Sequence, residues 1–118
     1  MSNPSKQRGT AWETAIVRTL RVNGFPNAER RALAGTHDLG DVTGIPGVVI
    51  EAKRQKQLAL AAWVDEAVVE GINAEADVAA VWAHRKGKAN PLDGYVVMTG
   101  RQFVALLHEA GHGWKDTA

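Results

Sequence analysis

The segment Asp41-Val-Thr-Gly-Ile-Pro-Gly-Val-Val-Ile-Glu51-Ala-Lys53 gives the strongest indication of how this chain folds. An acidic residue precedes a short apolar run, a turn with Gly and Pro follows, and a second apolar run ends in Glu-Ala-Lys. This order predicts a β-hairpin. Because strand side chains alternate between faces, Glu51 and Lys53 point to one face and Ala52 to the other. If Asp41 pairs across the hairpin with Glu51, two carboxylates face each other at the rim of a sheet.

Two opposed carboxylates repel each other, and a hard divalent cation such as Mg²⁺ relieves that repulsion because carboxylate oxygens are its preferred ligands. Lys53 lies one pleat beyond Glu51, within reach of any group bound to the cation. The pattern therefore predicts a metal-dependent phosphodiesterase site at Asp41, Glu51 and Lys53. The alternative for the same residues is a solvated strand end that carries a Glu–Lys pair.

Composition narrows the class of protein. A chain of 118 residues with 45% hydrophobic residues forms one domain with a single modest core. Its net charge of +1 gives no overall attraction to nucleic acid, so any attraction must come from local clusters. The absence of cysteine excludes disulfides and thiolate metal sites. No segment has the pattern of a signal peptide or a membrane span, and we expect a soluble, cytoplasmic protein.

Periodicity predicts an α/β fold with the element order αβββαββα and a mixed sheet. Residues 1–8 are expected to be a flexible basic arm, and residues 9–118 a single domain. The predicted elements are a helix over Thr10–Asn23, a strand over Asn27–Leu33, the hairpin Asp41–Lys53, a helix over Leu60–Ile72, strands over Val78–Trp82 and Tyr95–Met98, and a helix from Thr99 to about Ala110.

The helix after the hairpin has the clearest three-four spacing of apolar residues. Glu66 and Glu70 are assigned to its polar face. Its predicted buried stripe consists of Leu60, Trp63, Val64, Ala67, Val68, Gly71 and Ile72.

Three short motifs together resemble one enzyme family. They are Arg8-Gly9-x-x-x-Glu13 in the first helix, Gly40-Asp41 at the second strand and Glu51-Ala52-Lys53 at the third. With them, from about Lys6 to the last helix, the chain resembles the PD-(D/E)XK nuclease superfamily, and most of all the small Holliday junction resolvases of archaeal type and their phage relatives. Gly40 stands where the superfamily's name has proline.

This resemblance implies a restriction-endonuclease-like αβββαββα core with a central mixed β-sheet flanked by helices. It implies that Asp41, Glu51 and the backbone carbonyl of Ala52 bind Mg²⁺, with Mn²⁺ as a substitute, and that Lys53 is the catalytic lysine. Glu13 would be a helix acid that reaches the metal through water. Its alternative role is that of an ordinary first-turn acid favoured by the helix dipole.

The resemblance further implies an endonuclease that cleaves branched DNA in recombination or replication. A phage-encoded enzyme of this kind would act in the cytoplasm of the host. A four-way junction needs two symmetric nicks, so we expect a homodimer. The alternatives are a nuclease of the same fold acting on flaps, nicks or plain duplex, and a catalytically idle DNA-binding module. Nine basic residues are candidates for phosphate contacts. They are Lys6, Arg8, Arg30, Arg31, Arg54, Lys56, Arg85, Lys86 and Lys88.

One further motif, His108-Glu109-Ala-Gly-His112, matches the H-E-x-x-H pattern of zinc metalloproteases. That chemistry requires both histidines on one helical face and a third protein ligand. Gly111 is expected to end the helix, which would turn His112 away from His108. The zinc-protease hypothesis is therefore the most remote alternative.

Overall fold

The computed structural model describes residues 3–31 and 40–114. The α/β class, the element order and the mixed sheet agree with the prediction. The elements are α1 (Pro4–Val22), β1 (Glu29–Arg30), β2 (Val42–Thr43), β3 (Val48–Lys53), α2 (Leu60–Asn73), β4 (Val78–Ala83), a short 3₁₀ turn (Pro91–Asp93), β5 (Tyr95–Val97) and α3 (Gly100–Glu109). The strands lie in the order β1-β2-β3-β4-β5, with β3 and β4 parallel and the other neighbours antiparallel.

Helix α1 covers one face of the sheet. Trp12 and Ile16 on this helix pack with Val42 of β2 and Ile50 of β3 in one buried cluster. The indole nitrogen of Trp12 donates to the carbonyl of Trp82 at 3.0 Å, so the helix is also tied to β4 by a specific hydrogen bond. A buried indole N–H needs such a partner.

Helix α2 covers the opposite face. Its buried Trp63 and Ala67 pack against Val81 of β4 in a second cluster. Val81 lies beside Glu51 in the parallel register, and neighbouring residues in register share a face. Glu51 and Lys53 therefore share one face of the sheet, as their spacing predicts, and α2 covers that face.

The first helix begins at Pro4 rather than at Thr10, so residues 4–8 are helical and do not form the loose arm expected from the sequence. The side chain of Asn3 accepts hydrogen bonds from the N–H groups of Ser5 and Lys6, which caps the helix. Proline is well suited to the first helical position because its missing N–H would have no partner there.

The first strand is shorter than predicted. Among the described residues of the strand predicted over Asn27–Leu33, Glu29 and Arg30 are the two that pair with β2. Leu33 and most of the loop predicted to follow it lie outside the described residues.

Helix α2 is rotated relative to the predicted stripe. The buried residues are Trp63, Ala67, Glu70 and Gly71, while Ile72 is 71% exposed. The prediction that Glu70 lies on the polar face was wrong. The cause is close packing at Gly71, where an added Cβ would lie 2.9 Å from the Cβ of Ala79 in β4. The sheet packs closely against the small residues of α2, and Glu70 is buried because it is adjacent to Gly71 in this contact.

Helix α3 is capped by Thr99, whose hydroxyl accepts a hydrogen bond from the N–H of Gln102 at 3.1 Å. The side chain of Gln102 does not complete a capping box. It donates to the carbonyl of Asp77 at 2.8 Å and accepts from the N–H of Ala79 at 3.2 Å. Gln102 thus joins α3 to the start of β4.

Candidate active site

The β2–β3 hairpin brings Asp41 next to Glu51. Val42 lies opposite Ile50, and Asp41, which directly precedes Val42, is close enough to Glu51 for its charge to raise the pKa of that carboxyl group. The N–H of Asp41 donates to the carbonyl of Ile50 at 2.9 Å, and its Oδ2 accepts from the N–H of Ala52 at 2.8 Å. These bonds fix the Asp41 carboxylate against the end of β3, where the sequence places it.

Lys53 lies between two carboxylates. Its Nζ is 3.4 Å from Oε1 of Glu51 and 3.1 Å from Oε2 of Glu66 on α2. The Lys53 side chain is 15% exposed and that of Glu51 is 6% exposed. The predicted Glu51–Lys53 pair is therefore largely buried under α2, which argues against a simple solvated strand end.

Helix α2 adds two acids that the sequence interpretation did not assign to the site. One carboxylate oxygen each from Glu51, Glu66 and Glu70 lie within 4.8 Å of one another. Glu70 is 1% exposed and Glu51 is 5% exposed. One sequence pattern could have predicted the burial of Glu70. Three residues of decreasing size lie at i, i+4 and i+8 on α2, namely Trp63, Ala67 and Gly71. A helix that packs along such a row also buries the position next to Gly71.

The electrostatics of this cluster are dominated by burial. Burial, followed by the hydrogen bond shared with Glu70 and by the negative charges of Asp41 and Glu70, raises the pKa of Glu51 to about 11, while Lys53 acts in the opposite direction. No N–H or hydroxyl donor of the described residues reaches Oε2 of Glu51. The contact between the Glu51 and Glu70 carboxyl groups becomes a hydrogen bond only when one of the two holds a proton. Without a cation, the pair therefore retains a proton at neutral pH.

Lys53 remains charged in this environment. Burial acts to lower the pKa of Lys53, but the hydrogen bond to Glu66 and the charges of Glu51 and Glu66 outweigh it, and the pKa lies above its usual value. In this arrangement the ammonium is a fixed positive charge beside the acids.

Glu13 lies elsewhere. It is on α1, which covers the other face of the sheet, and its Oε2 accepts from Nε of Arg30 at 2.9 Å. Glu13 does not belong to the group of converging acids found among the described residues. Its predicted role near the metal, and that of the Ala52 carbonyl, stay predictions.

A basic groove begins directly after Lys53. It has a volume of about 1190 Å³, and of the ten described residues that line it, five are Arg or Lys and none is Asp or Glu. All five were predicted to contact DNA. They are Arg8, Arg54, Lys56, Arg85 and Lys86. The fold thus collects cations from α1, from the segment after β3 and from the turn after β4 into one concave surface.

The groove also contains uncharged groups. Leu58 and Tyr95 are 62% and 50% exposed, and the guanidinium carbon of Arg85 lies 5.6 Å from the centre of the Tyr95 ring. His84 lies against the ring of Trp12 in an edge-on contact at 5.0 Å. Burial, and then the positive charge of Arg54, lower the pKa of His84. The imidazole is therefore neutral at physiological pH.

The other four predicted DNA contacts do not line the groove. Lys6 is in the first turn of α1, and Arg30 pairs with Glu13. The main-chain N–H of Arg31 donates to the carbonyl of Asp41, and Lys88 closes the turn with Arg85. If DNA reaches these residues, it does so beyond the groove.

The H-E-x-x-H segment does not have the geometry of a zinc site. Helix α3 ends at Glu109, and Gly111 has a φ of +86°, so His112 lies beyond the helix. The two histidines form no group of three potential metal ligands in the described part of the chain.

Comparison of the chain with protein-family models, with curated proteins and with solved structures found no match. Within residues 3–31 and 40–114, no helix is both long enough and apolar enough to cross a membrane. The function must therefore be argued from the site itself.

Proposed function

We propose that this protein is a Mg²⁺-dependent endonuclease that cleaves phosphodiester bonds in branched DNA, as a Holliday junction resolvase in recombination or replication. The observation that carries the proposal is the acid cluster around Glu51 and Lys53, in which Glu51 and Glu70 are buried, followed directly by the basic groove that begins at Arg54. The cluster supplies oxygen ligands for a metal, and the groove supplies charges for a phosphate backbone.

The donor set fits a hard divalent cation. Two oxygens on opposite sides of a bound Mg²⁺ lie roughly 4.2 Å apart, because each Mg–O distance is about 2.1 Å. The carboxylate oxygens of Glu51, Glu66 and Glu70 already lie within 4.8 Å of one another, so small side-chain movements suffice. Glu51 would be the central ligand, since it is next to Asp41 on one side and Glu70 on the other. Bound Mg²⁺ would lower the pKa of a water ligand and neutralise charge on the phosphate.

Lys53 provides the remaining positive charge at the scissile phosphate. Its ammonium now lies between Glu51 and Glu66, at 3.4 Å and 3.1 Å. Once those carboxylates neutralise a metal ion instead, the ammonium can turn towards a phosphate oxygen and stabilise the charge that builds there. A compact point charge on a flexible stem is suited to this task.

Resolving a junction requires two coordinated sites, so the proposal includes a homodimer. It is supported by helix α3, in which no residue is buried. Three apolar side chains of this helix remain exposed to solvent: Phe103 at 53%, Val104 at 52% and Leu107 at 36%. The neighbouring β5 is the edge strand of the sheet, and its Val96 is 50% exposed. Exposed apolar surface of this kind is typical of protein interfaces.

The proposal is tested with a labelled synthetic four-way junction, incubated with Mg²⁺ and then with EDTA. We expect cleavage with Mg²⁺ alone, and its loss in Lys53→Ala and Asp41→Asn with junction binding nearly intact. The matched control is Arg18→Ala, because Arg18 is an exposed cation of α1 outside the groove. Cleavage that survives Lys53→Ala would remove the proposed site.

The same assay separates the alternatives. Equal cleavage of the junction and of a linear duplex with the same sequence would identify a nuclease of the same fold without junction preference. Binding without cleavage under any divalent metal would identify an idle DNA-binding module.

A further inference from the structure

Tyr95 is placed unusually for an aromatic side chain. It is half exposed, it lines a groove whose other walls are mostly cationic, and the guanidinium of Arg85 lies over its ring. Proteins that hold single-stranded nucleic acid combine these two features, a positively charged groove for the backbone and aromatic rings on which bases stack.

The strand register relates Tyr95 to the candidate active site. Lys53 pairs with Ala83 across the parallel β3–β4 ladder, and Ala83 pairs with Tyr95 across the antiparallel β4–β5 ladder. Residues paired in register share a face, so Lys53 and Tyr95 lie in one row on one face of the sheet. They are two strand spacings apart, which is roughly 10 Å.

We infer that Tyr95 is a stacking platform for an unpaired DNA base close to the scissile phosphate. The inference rests on the proposed function and adds a source of specificity to it. A base in continuous duplex is stacked on its neighbours and cannot reach the ring, whereas a base at a branch point or a strand interruption can. Arg85 would contribute a phosphate contact next to the stacked base, and the groove would prefer DNA with an unpaired nucleotide over intact duplex.

The test measures binding in EDTA, so that it does not depend on cleavage. Short fluorescein-labelled oligothymidylate is titrated with wild type and variants and followed by fluorescence anisotropy. We expect Tyr95→Ala to bind about 5- to 150-fold more weakly, the range for loss of one stacked base, and Tyr95→Phe to bind like wild type. The matched control is Val96→Ala, because Val96 is equally exposed on the same strand but does not line the groove.

A second measurement locates the base. A 2-aminopurine placed opposite a gap in a duplex should be quenched on binding to wild type and not to Tyr95→Ala, while binding of a fully paired duplex should be the same for both proteins. Equal weakening of oligothymidylate and of paired duplex in Tyr95→Ala would overturn the inference. Tighter binding of oligouridylate than of oligothymidylate by wild type would also overturn it. A third overturning result would be a Tyr95→Ala protein that changes oligomeric state while its DNA affinity is unchanged.

These outcomes are distinct from failure of the proposed function. Junction cleavage that persists while Tyr95→Ala binds oligothymidylate as wild type does would overturn the stacking role and leave the nuclease intact. Tyr95-dependent quenching in a protein that never cleaves DNA would keep the stacking site and remove the nuclease.

Discussion

Replacing Glu51 with glutamine should stabilise the metal-free protein while abolishing its response to Mg²⁺. Burial raises the pKa of Glu51 to about 11 from 4.5. Below pH 4.5 the Glu51 carboxyl is protonated in both the folded and the unfolded chain, so its burial costs no ionisation free energy. As the pH rises above 4.5, Glu51 loses its proton in the unfolded chain and keeps it in the folded chain. The free energy of unfolding then falls by about 1.4 kcal/mol per pH unit until the folded pKa is reached.

At pH 7 this loss amounts to about 3 kcal/mol, because 2.5 pH units separate that pH from the pKa of the unfolded chain. Glutamine removes the titration, and its amide can donate to the Glu70 carboxylate that now shares the proton. We therefore expect Glu51→Gln to unfold at a temperature higher by on the order of 10 °C in EDTA at pH 7.

The assay is urea unfolding in EDTA at pH 5 and pH 8. The stability difference between Glu51→Gln and wild type should grow by about 4 kcal/mol over these three pH units. The matched control is Glu66→Gln, because the Glu66 side chain is 41% exposed and its removal relieves no buried charge. Adding Mg²⁺ at 100 times its Kd should then stabilise wild type by about 2.7 kcal/mol and Glu51→Gln much less. Parallel pH dependences for wild type and Glu51→Gln would refute the reasoning.

Two further predictions concern the groove and the apolar surface. Replacing both Arg54 and Arg85 with alanine should reduce the slope of log affinity against log salt by roughly 2 for duplex DNA, whereas Arg18→Ala should not change it. An unchanged slope in the double variant would show that DNA does not occupy the groove. On α3, Phe103→Lys should convert the proposed dimer into a monomer, as measured by light scattering, and Ala105→Lys should not. A dimer that survives Phe103→Lys would place the interface elsewhere.

The hairpin could be predicted because its determinants are local. Gly44 and Gly47 have φ values of +94° and +76°, and the turn between two apolar runs needs residues that tolerate such angles. Once the turn is fixed, the register follows, and with it the position of Asp41 beside Glu51. The face that Lys53 shares with Glu51 follows from alternation alone.

The position of Glu70 could not be predicted because it depends on contacts distant in sequence. The apolar residues of α2 outnumber the places available against the sheet, so periodicity alone allows more than one rotation of the helix. The close contact between Gly71 and Ala79 of β4 selects the rotation that buries Glu70 and leaves Ile72 exposed. Composition likewise gave the number of cations but not the groove, since Arg8 and Lys86 become neighbours only in the folded chain.

The charges around Glu51 argue for a binding site over a structural ion pair. Glu51 lies beside the carboxyl groups of Asp41 and Glu70, and it shares the ammonium of Lys53 with Glu66 on α2. A buried ion pair that served stability alone would not have further acids placed against it, because crowding negative charges into a buried site costs free energy. At Glu51 this cost is relieved by a retained proton or by a bound cation. If a cation binds here, the site would lower stability in its absence, and functional sites are where sequences are expected to depart from the local rules that favour stability.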